Sequence, residues 1–597
     1  MYLSPMLPIA VAQFRPRKAS WEANLARVET LFREWASDPV PPELVVFPEA
    51  ALTGYFLEGG VREEARTAEQ LFTALAACHA AAGAPPMDIV IGFYELFETR
   101  LYNAALAARL GGPDAGIRHV HRKVFLPTYG VFDEERFVDP GREVRAFDTG
   151  WGRCAVLVCE DAWHSILPAI AALDGAQILV VVSASPARGL APSPDAQPTM
   201  RPTSVRRWDA IAQQVATEHD LFVVMAHLAG FEGGKGFQGG SLVIGPTGAQ
   251  VAGAPLFEEA VLRAEVDLAE ITRVRAGSPM LSDLEMRLPF LADQLGQLAR
   301  SPGGRAAEPA RRGPRPARPT RLPADPSPLA IDPELTRRWL VEFLRDEVQR
   351  RRGFERAVVA LSGGVDSALV AYLAAEALGP GQVTAIRLPH QRSSLDSLAH
   401  AQLVIDALGI GAETIEITAA VDGLAAAIGD QPGPARLGNI MARTRMIALF
   451  DRSAALQALP LGTGNKTERL FGYFTWHADD APPVNPIGDL FKTQVWALAR
   501  HLGVPAEIVD KPATADLVAG QTDEGDFGIS YARADAILHW LLSGYPAEAV
   551  EQAGFSAEEV ALVRRRLDST HWKRKLPTVA MLSQTAIGEY YLRPVDY

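Results

Sequence analysis

The segment "AVVALSGGVDSALVAYLAAEAL", residues 357–378, determines the fold of the C-terminal half of the chain. Its β-branched and small apolar residues are interrupted at Gly363 and Gly364, and apolar residues then recur at helical spacing. This pattern predicts a strand, a tight loop and a helix. A loop at a helix N-terminus presents free backbone N–H groups and the positive end of the helix dipole, so it attracts anions.

Three polar residues of this loop indicate that the anion is a phosphate. The hydroxyls of Ser362 and Ser367 can donate to phosphate oxygens, and the carboxylate of Asp366 can hold Mg²⁺ against them. No lysine follows the glycines, so the segment is not the GxxxxGK[ST] nucleotide loop. An ordinary glycine turn in an α/β domain is the alternative interpretation.

The length and composition of the chain predict a globular protein with more than one domain. A chain of 597 residues is too long for a single core, and its 48% hydrophobic and 22% charged residues are typical of folded proteins. Residues 301–328 are rich in Pro, Gly and Arg and have almost no large apolar residue, which is typical of a linker. We therefore predict one domain over residues 1–295, a linker over 296–330 and a second domain over 331–597.

Charge and cysteine content restrict the function and the location. A formal net charge of −13 argues against binding to nucleic acid or to anionic membranes. We found no targeting segment and no long apolar run, so we expect a cytoplasmic protein. Cys78, Cys154 and Cys159 cannot form a disulfide framework and lack zinc-ligand spacing. A cysteine that matters for function is therefore expected to be reactive.

Short apolar segments alternate with helical stretches in the first half of the chain, which indicates an α/β sheet protein. Glu49 follows "LVVFP", Lys123 lies in "HVHRKVFLPTYG", and Cys159 ends "CAVLVC". A thiolate nucleophile needs a base to take its proton and a cation to stabilise developing charge. These three residues can supply those functions if the fold brings them together.

Four sequence blocks resemble the nitrilase-type amidohydrolase family in order and spacing. They are "VVFPEAALTGY", "HRKVFLPTYGVFDEERFVDPG", "VCEDAWH" and "GFQGGSLVIGPTG", and the resemblance spans residues 8–270. It implies an α-β-β-α sandwich in which Glu49 is the general base, Lys123 stabilises the tetrahedral intermediate and Cys159 forms a thioester. It also implies a second glutamate, for which Glu134 fits best and Glu135 is the neighbouring alternative.

The second half of the chain resembles a different family. "SGGVDS" is similar to the pyrophosphate-binding loop of the adenine-nucleotide α hydrolases, which implies a parallel α/β domain that cleaves ATP between its α and β phosphates. "GNIMARTRMIALF", "LGTGNKTERLFGYFT", "PIGDLFKTQVWALA" and "GQTDEGDFGISY" resemble the NAD synthetase family in order and wording. Together with "HWKRKLP" these blocks cover residues 335–580.

This resemblance implies residues for three ligands. The pyrophosphate would lie on Ser362, Gly363, Gly364, Asp366 and Ser367. Thr463 would contact the adenylate and Lys492 the phosphates, while Asp366 and Glu468 would hold Mg²⁺. Arg443 and Asn465 would contact deamido-NAD, and Asp479 would lie near its reacting carboxyl.

The pairing of the two families implies the overall reaction. The first domain would hydrolyse glutamine to glutamate and ammonia, and the second would adenylate deamido-NAD with ATP and amidate it to NAD, releasing pyrophosphate and AMP. The partners would be these small molecules and, by the same resemblance, further copies of the chain in a homo-oligomer. Two alternatives remain open: an ammonia-dependent enzyme whose first domain is regulatory, and a nucleotide sensor without turnover.

Overall fold

The structure is a computed structural model that describes residues 6–57, 60–192, 201–300, 322–429, 432–514 and 522–574. The chain divides into two compact units, each with its own cores. Described residues 6–189 and 201–300 form the first unit, and 190–192 and 322–574 belong to the second. Among the described residues, no helix has the length and apolar character that crossing a bilayer requires.

Two six-stranded sheets form the centre of the first unit. The first has the order β14-β1-β2-β3-β4-β5, with the strands β1 (Leu7–Gln13), β2 (Leu44–Val46), β3 (Met87–Phe97), β4 (Arg100–Leu110), β5 (Gly116–Arg122) and β14 (Ala260–Val266). The second has the order β13-β12-β9-β8-β7-β6, with β6 (Ala146–Asp148), β7 (Arg153–Val158), β8 (Ile178–Ser183), β9 (Phe222–His227), β12 (Leu242–Ile244) and β13 (Gln250–Gly253). A separate hairpin pairs β10 (Ala229–Glu232) with β11 (Lys235–Gln238).

Alternation along the strands explains the layers of this unit. In β1, Leu7, Ile9 and Val11 pack in the core between the sheets, whereas Ala10 and Ala12 pack in a second core on the other face. Successive side chains of a strand point to opposite faces, so a sheet buried on both faces consists almost wholly of apolar residues. The second core also contains residues of two helices, so the layers are helix, sheet, sheet and helix.

Seven α-helices are described in the first unit: α1 (Trp21–Ala36), α2 (Val61–Glu64), α3 (Ala68–Ala82), α4 (Ile166–Leu173), α5 (Thr203–His219), α6 (Ala269–Gly277) and α7 (Met280–Arg300). α1 and α3 cover the first sheet, and α4 and α5 pack against the second. This arrangement confirms the predicted α-β-β-α sandwich.

The second unit contains a parallel four-stranded sheet of order β17-β16-β15-β18. Its strands are β15 (Arg356–Ala360), β16 (Val383–Arg387), β17 (Gly411–Thr414) and β18 (Ala458–Leu461). Ala357 and Val359 pack in one core with the helix that follows β15, and Val358 packs in another core on the opposite face. The sheet is therefore covered on both faces, as expected for parallel strands.

Twelve α-helices are described in this unit: α8 (Pro333–Leu344), α9 (Val365–Leu378), α10 (Leu395–Leu408), α11 (Thr418–Ile428), α12 (Pro434–Leu456), α13 (Lys466–Phe471), α14 (Lys492–His501), α15 (Ala506–Val509), α16 (Asp523–Phe527), α17 (Tyr531–Leu542), α18 (Ala547–Gln552) and α19 (Ala557–Ser569). A π-helical segment, Arg345–Arg351, continues from α8. β15 and α9 confirm the strand, loop and helix predicted from residues 357–378.

The linker prediction falls largely outside the described residues, since 301–321 are not described. The described residues on its N-terminal side belong to α7, which extends to Arg300, and on its C-terminal side Leu322 and Leu329 are buried in a core of the second unit. The predicted boundaries of the two domains and the linker stay predictions.

Candidate active sites

The first candidate site lies where several strands of the sandwich end. Glu49 follows β2, Lys123 follows β5, and Cys159 follows β7. Because the two sheets pack face to face, residues beyond strands of different sheets meet at one edge of the sandwich. The structure therefore brings together side chains that are separated by up to 110 residues in sequence.

Lys123 lies between two carboxylates at this edge. Its Nζ is 3.0 Å from Glu49 Oε1 and 2.7 Å from Glu134 Oε1, and all three side chains are buried. Glu135, the alternative to Glu134, is exposed to solvent. The geometry thus favours Glu134 as the second glutamate of the cluster.

Burial and neighbouring charges determine the protonation of this cluster. Burial alone would lower the pKa of Lys123, but the adjacent Glu134 and Glu49 outweigh it and hold that pKa well above its usual value. Burial raises the pKa of Glu134 to about 7, against the opposing effect of Lys123. The lysine is therefore a fixed cation, and Glu134 titrates near neutral pH.

Cys159 is buried and has an unusual backbone conformation. Its φ is 49°, in the left-handed region, and its side chain accepts a hydrogen bond from Ser183 Oγ at 3.4 Å. Burial, with the charge of Glu49 as the next contribution, raises the pKa of the Cys159 thiol well above its ordinary value. The resting sulfur is therefore a thiol, which needs a base before it can act as a nucleophile.

Two further residues complete the cluster. Asn103 on β4 donates from Nδ2 to Glu49 Oε1 at 2.7 Å and to Glu134 Oε1 at 3.3 Å, and Tyr55 donates its hydroxyl hydrogen to Glu134. Neither residue was predicted from the sequence. Asn103 is fully buried. The sequence pattern that could have indicated it is a single amide side chain among the apolar residues of the strand "RLYNAALAARL".

The second candidate site is a cavity of about 520 Å³ beside the loop after β15. Eight of the residues predicted to bind ATP, metal or deamido-NAD line it: Ser362, Gly364, Asp366, Ser367, Thr463, Glu468, Asp479 and Lys492. The cavity has the size of a small-molecule site.

The loop geometry explains its glycines. Gly363 has a φ of 81°, and a Cβ there would lie 2.2 Å from the backbone oxygen of Ser397. Gly364 is the N-cap of α9, and its backbone N–H donates to Ser362 Oγ at 3.3 Å. The loop thus places small residues and hydroxyls at the positive end of a 14-residue helix.

A second buried lysine lies between carboxylates in this cavity. Lys492 Nζ contacts Asp366 Oδ2 and lies 3.4 Å from Glu468 Oε1, while Asn465 Nδ2 donates to Asp366 Oδ1 at 3.0 Å. Burial raises the pKa of Glu468 to about 8, and the neighbouring Asp366 adds to this effect. An additional cation near these two carboxylates would lower that pKa.

The donor set fits a hard divalent cation shared with a substrate. Among the described residues, no group of three or more His, Cys, Asp and Glu side chains could hold a metal ion by itself. Mg²⁺ usually binds through one or two carboxylates together with substrate phosphates and water. Asp366 and Glu468 match that pattern, since both line the cavity beside the predicted phosphate loop.

A buried carboxylate behind Lys492 holds two helices of the site. Asp535 on α17 accepts hydrogen bonds from Thr467 Oγ1 at 2.6 Å and from Thr493 N and Oγ1, both at 2.9 Å. Thr467 neighbours Glu468 on α13, and Thr493 neighbours Lys492 on α14. Asp535 was not predicted from the sequence as part of the site.

Two predicted deamido-NAD contacts do not line the cavity. Arg443 is exposed and donates to Trp476 O at 3.1 Å, and Asn465 is fully buried as the N-cap of α13. Asp479 does line the cavity and accepts a hydrogen bond from Thr475 N at 2.9 Å. The roles of these three residues stay predictions.

Comparison with known proteins matches each half of the chain to a separate family model. Residues 8–276 match the carbon-nitrogen hydrolase model, and residues 336–577 match the NAD synthase model. The NH(3)-dependent NAD(+) synthetase of Chlorobaculum parvum is 47% identical over 256 residues, which are 42% of this chain and 90% of that protein. The corresponding protein of Trichlorobacter lovleyi is 46% identical over 266 residues, which are 44% of this chain and 96% of that protein.

Solved structures resemble the fold of the whole chain. A glutamine-dependent NAD+ synthetase from Acinetobacter baumannii has a TM-score of 0.69 at 22% identity and covers 99% of this chain and 98% of its own. One from Cytophaga hutchinsonii has a TM-score of 0.68 at 16% identity and covers 96% of this chain and 93% of its own. The fold and the two family matches thus define a class of protein in which a domain that matches the carbon-nitrogen hydrolase model precedes an α/β domain that matches the NAD synthase model. The chain belongs to the NAD synthase family.

Proposed function

We propose that the chain is a glutamine-dependent NAD synthetase. It hydrolyses glutamine for ammonia, adenylates deamido-NAD with ATP, and amidates the adenylate to NAD, leaving glutamate, pyrophosphate and AMP. One observation supports this most directly: a complete Glu49, Lys123 and Cys159 cluster is present in the same chain as the nucleotide cavity. A domain that only regulated an ammonia-dependent enzyme would have no need of a base, a cation and a nucleophile in one buried site.

In the glutaminase reaction, each residue has a role that its surroundings support. Glu49 takes the thiol proton as Cys159 attacks the amide carbon of glutamine, and the same carboxyl returns a proton to the departing ammonia. The backbone N–H of Ala184 donates to Glu49 Oε2 at 2.6 Å and so holds the base in one orientation. Lys123 stabilises the oxyanion, and water then releases glutamate from the thioester.

In the synthetase reaction, the carboxylate of deamido-NAD attacks the α phosphate of ATP and pyrophosphate leaves. Ammonia then attacks the acyl carbon of the mixed anhydride, and AMP leaves. Ser362, Gly363, Gly364 and Ser367 bind the pyrophosphate at the start of α9, Lys492 neutralises phosphate charge, and Thr463 contacts the adenylate. Asp479 lies on the cavity wall, where it would face the reacting carboxyl.

Magnesium fits this site as a companion of ATP. Asp366 and Glu468 would hold it, and its chemistry would be to neutralise charge on the phosphates. Lys492 shares both carboxylates and keeps them oriented toward the cavity. A homo-oligomeric assembly and a cytoplasmic location belong to the same proposal.

The nucleophile provides the test of the proposed function. Without the sulfur of Cys159 no thioester can form, so Cys159→Ala should lose glutamine-dependent NAD formation by at least about 1,000-fold. NAD formation from ammonium should persist and increase with pH at fixed total ammonium, because free ammonia is the attacking species. The assay measures NAD from deamido-NAD and ATP with each nitrogen source.

Cys154→Ala and Cys78→Ala are the matched controls. Both residues are buried free thiols of the same unit, and Cys154 lies on β7 with Cys159 immediately after that strand. Both variants should keep glutamine-dependent synthesis. If Cys159→Ala also keeps it, Cys159 is not the nucleophile and the proposed glutaminase mechanism is wrong. The ammonia-dependent alternative would instead be supported if the unaltered protein made NAD from ammonium but not from glutamine.

A further inference from the structure

Asp161 uses both oxygens of its carboxylate in four hydrogen bonds. Its Oδ1 accepts from Val124 N at 3.0 Å and from Phe125 N at 2.9 Å. Its Oδ2 lies 2.8 Å from His121 Nε2 and accepts from Val158 N at 3.3 Å. Both the Asp161 and His121 side chains are completely buried.

These partners surround the two central residues of the glutaminase site. His121 precedes Lys123 by two residues, and Val124 and Phe125 follow it directly, so Asp161 binds the chain on both sides of the lysine. Asp161 itself follows Cys159 by two residues. One carboxylate therefore connects the backbone of the lysine to that of the nucleophile.

The connection crosses between the two sheets of the sandwich. Lys123 follows β5 of the first sheet, and Cys159 follows β7 of the second. Side-chain packing between sheets tolerates small shifts, whereas four hydrogen bonds to one buried carboxylate define direction as well as distance. The side chain of Lys123 also forms ion pairs with Glu49 and Glu134, but these ion pairs do not fix its distance from the sulfur of Cys159.

We propose that Asp161 is a positioning residue of the glutaminase reaction, which places Lys123 at the distance from Cys159 where it meets the oxyanion. This inference rests on the proposed function, since it assigns Asp161 a part in that reaction. Oxyanion stabilisation depends steeply on geometry, and a displacement of about 1 Å can lower a rate about 100-fold. His121 acts with Asp161, because it lies on β5 before Lys123 and contacts Asp161 Oδ2 from that strand.

The test is Asp161→Asn, which keeps the size of the side chain. Its amide NH₂ group would face a backbone N–H that now donates to a carboxylate oxygen, so at least one hydrogen bond is lost. We expect kcat for glutamine hydrolysis to fall by about 100-fold, whereas KM for glutamine changes by less than about threefold, because the defect lies in the transition state. NAD formation from ammonium should be unchanged.

Asp88→Asn is the matched control for a merely structural effect. Asp88 is also a buried carboxylate that connects the two halves of the sandwich, since its Oδ2 accepts from Arg109 Nη1 at 3.1 Å and from Trp151 Nε1 at 3.0 Å. Trp151 precedes β7, so this connection lies at the end of β7 opposite to Cys159. Asp88→Asn should lower the midpoint temperature of thermal unfolding but leave kcat for glutamine hydrolysis unchanged.

The outcomes separate this inference from the proposed function. If the unaltered protein hydrolyses glutamine through Cys159 but Asp161→Asn retains the kcat of Asp88→Asn, the positioning role is wrong and the proposed function stands. If Asp161→Asn fails to fold, His121→Leu, which removes one of the four contacts, decides the matter. We expect it to lower kcat about tenfold at constant KM, and an unchanged kcat would overturn the inference.

Discussion

Glu134 makes the glutaminase site sensitive to pH at the scale of a single residue. Burial raises its pKa to about 7, so it ionises as the pH rises through neutrality and becomes the second anionic partner of Lys123. We expect the rate of glutamine hydrolysis to decrease as the pH is lowered below about 7. Glu134→Gln cannot ionise and should lack this acidic limb, with a rate at least about tenfold lower at pH 8.

The measurement is kcat/KM for glutamine from about pH 5.5 to about pH 9 in the unaltered protein and in Glu134→Gln. This range extends to both sides of the pKa of Glu134. Glu135→Gln is the control, because Glu135 is adjacent in sequence but exposed. Identical acidic limbs in the unaltered protein and in Glu134→Gln would mean that another group titrates.

Residues differ in how far the sequence predicted their place. Glu49 and Cys159 each follow a strand with a clear apolar pattern, and a strand that ends at one edge of a sheet determines where the next residue lies. Lys123 follows β5, which has few apolar residues, so its place was implied by the family resemblance alone. Asn103 and Asp161 were not predicted as parts of the site. Their contacts depend on the register of β4 against its neighbours and on the packing of one sheet against the other, which no local pattern specifies.

At the scale of elements, the junction of β15 and α9 depends on Gly363. Alanine there would place its Cβ 2.2 Å from Ser397 O in a backbone conformation with a φ of 81°. The loop must shift to relieve this contact, at a cost of about 1–3 kcal/mol in strain alone. We expect Gly363→Ala to lower NAD formation by at least about tenfold with either nitrogen source, because the shifted loop no longer holds its N–H groups and hydroxyls at the phosphates.

Gly409→Ala is the control that distinguishes the strain of a positive φ from the steric clash with Ser397. Gly409 ends α10 with a φ of 63°, and a Cβ there would meet no atom within 4 Å. This variant should lose about 1 kcal/mol of stability and keep its activity. Equal activity of the two alanine variants in the ammonium assay would show that the loop tolerates a side chain at 363.

The elements themselves were largely predictable because their apolar patterns are long and continuous. "RCAVLVC" and "AQILVVVSAS" became β7 and β8, and the alternation of Ala357, Val358 and Val359 across two cores follows from the geometry of a strand. α7 includes residues 296–300 of the segment predicted as linker, and the boundaries of that linker stay a prediction.

At the scale of the whole molecule, each unit has its own sheets and cores, so a change in one site should leave the fold of the other intact. Asp366→Ala removes a carboxylate beside the phosphate loop and a partner of Lys492. We expect it to abolish NAD formation from both glutamine and ammonium, because adenylation serves both routes. Glutamine hydrolysis should continue at a basal rate.

The measurement compares glutamate and NAD formed by the unaltered protein and by Asp366→Ala. In the unaltered protein, glutamate formation should increase when deamido-NAD and ATP are present, since ammonia released without an acceptor is lost. Cys159→Ala is the reciprocal control, with synthesis from ammonium and no hydrolysis. Near-normal NAD formation from ammonium by Asp366→Ala would refute the role of this carboxylate.

The backbone of Cys159 implies a conflict between durability and reactivity. A left-handed conformation costs an L-residue about 1–2 kcal/mol, and glycine alone adopts it freely. Glycine here would relieve the strain, but it would also remove a buried side chain from the core and silence the domain. A protein that uses the Cys159 thiol must therefore keep a strained backbone at this position. A relative that no longer takes nitrogen from glutamine would be expected to lose the cysteine.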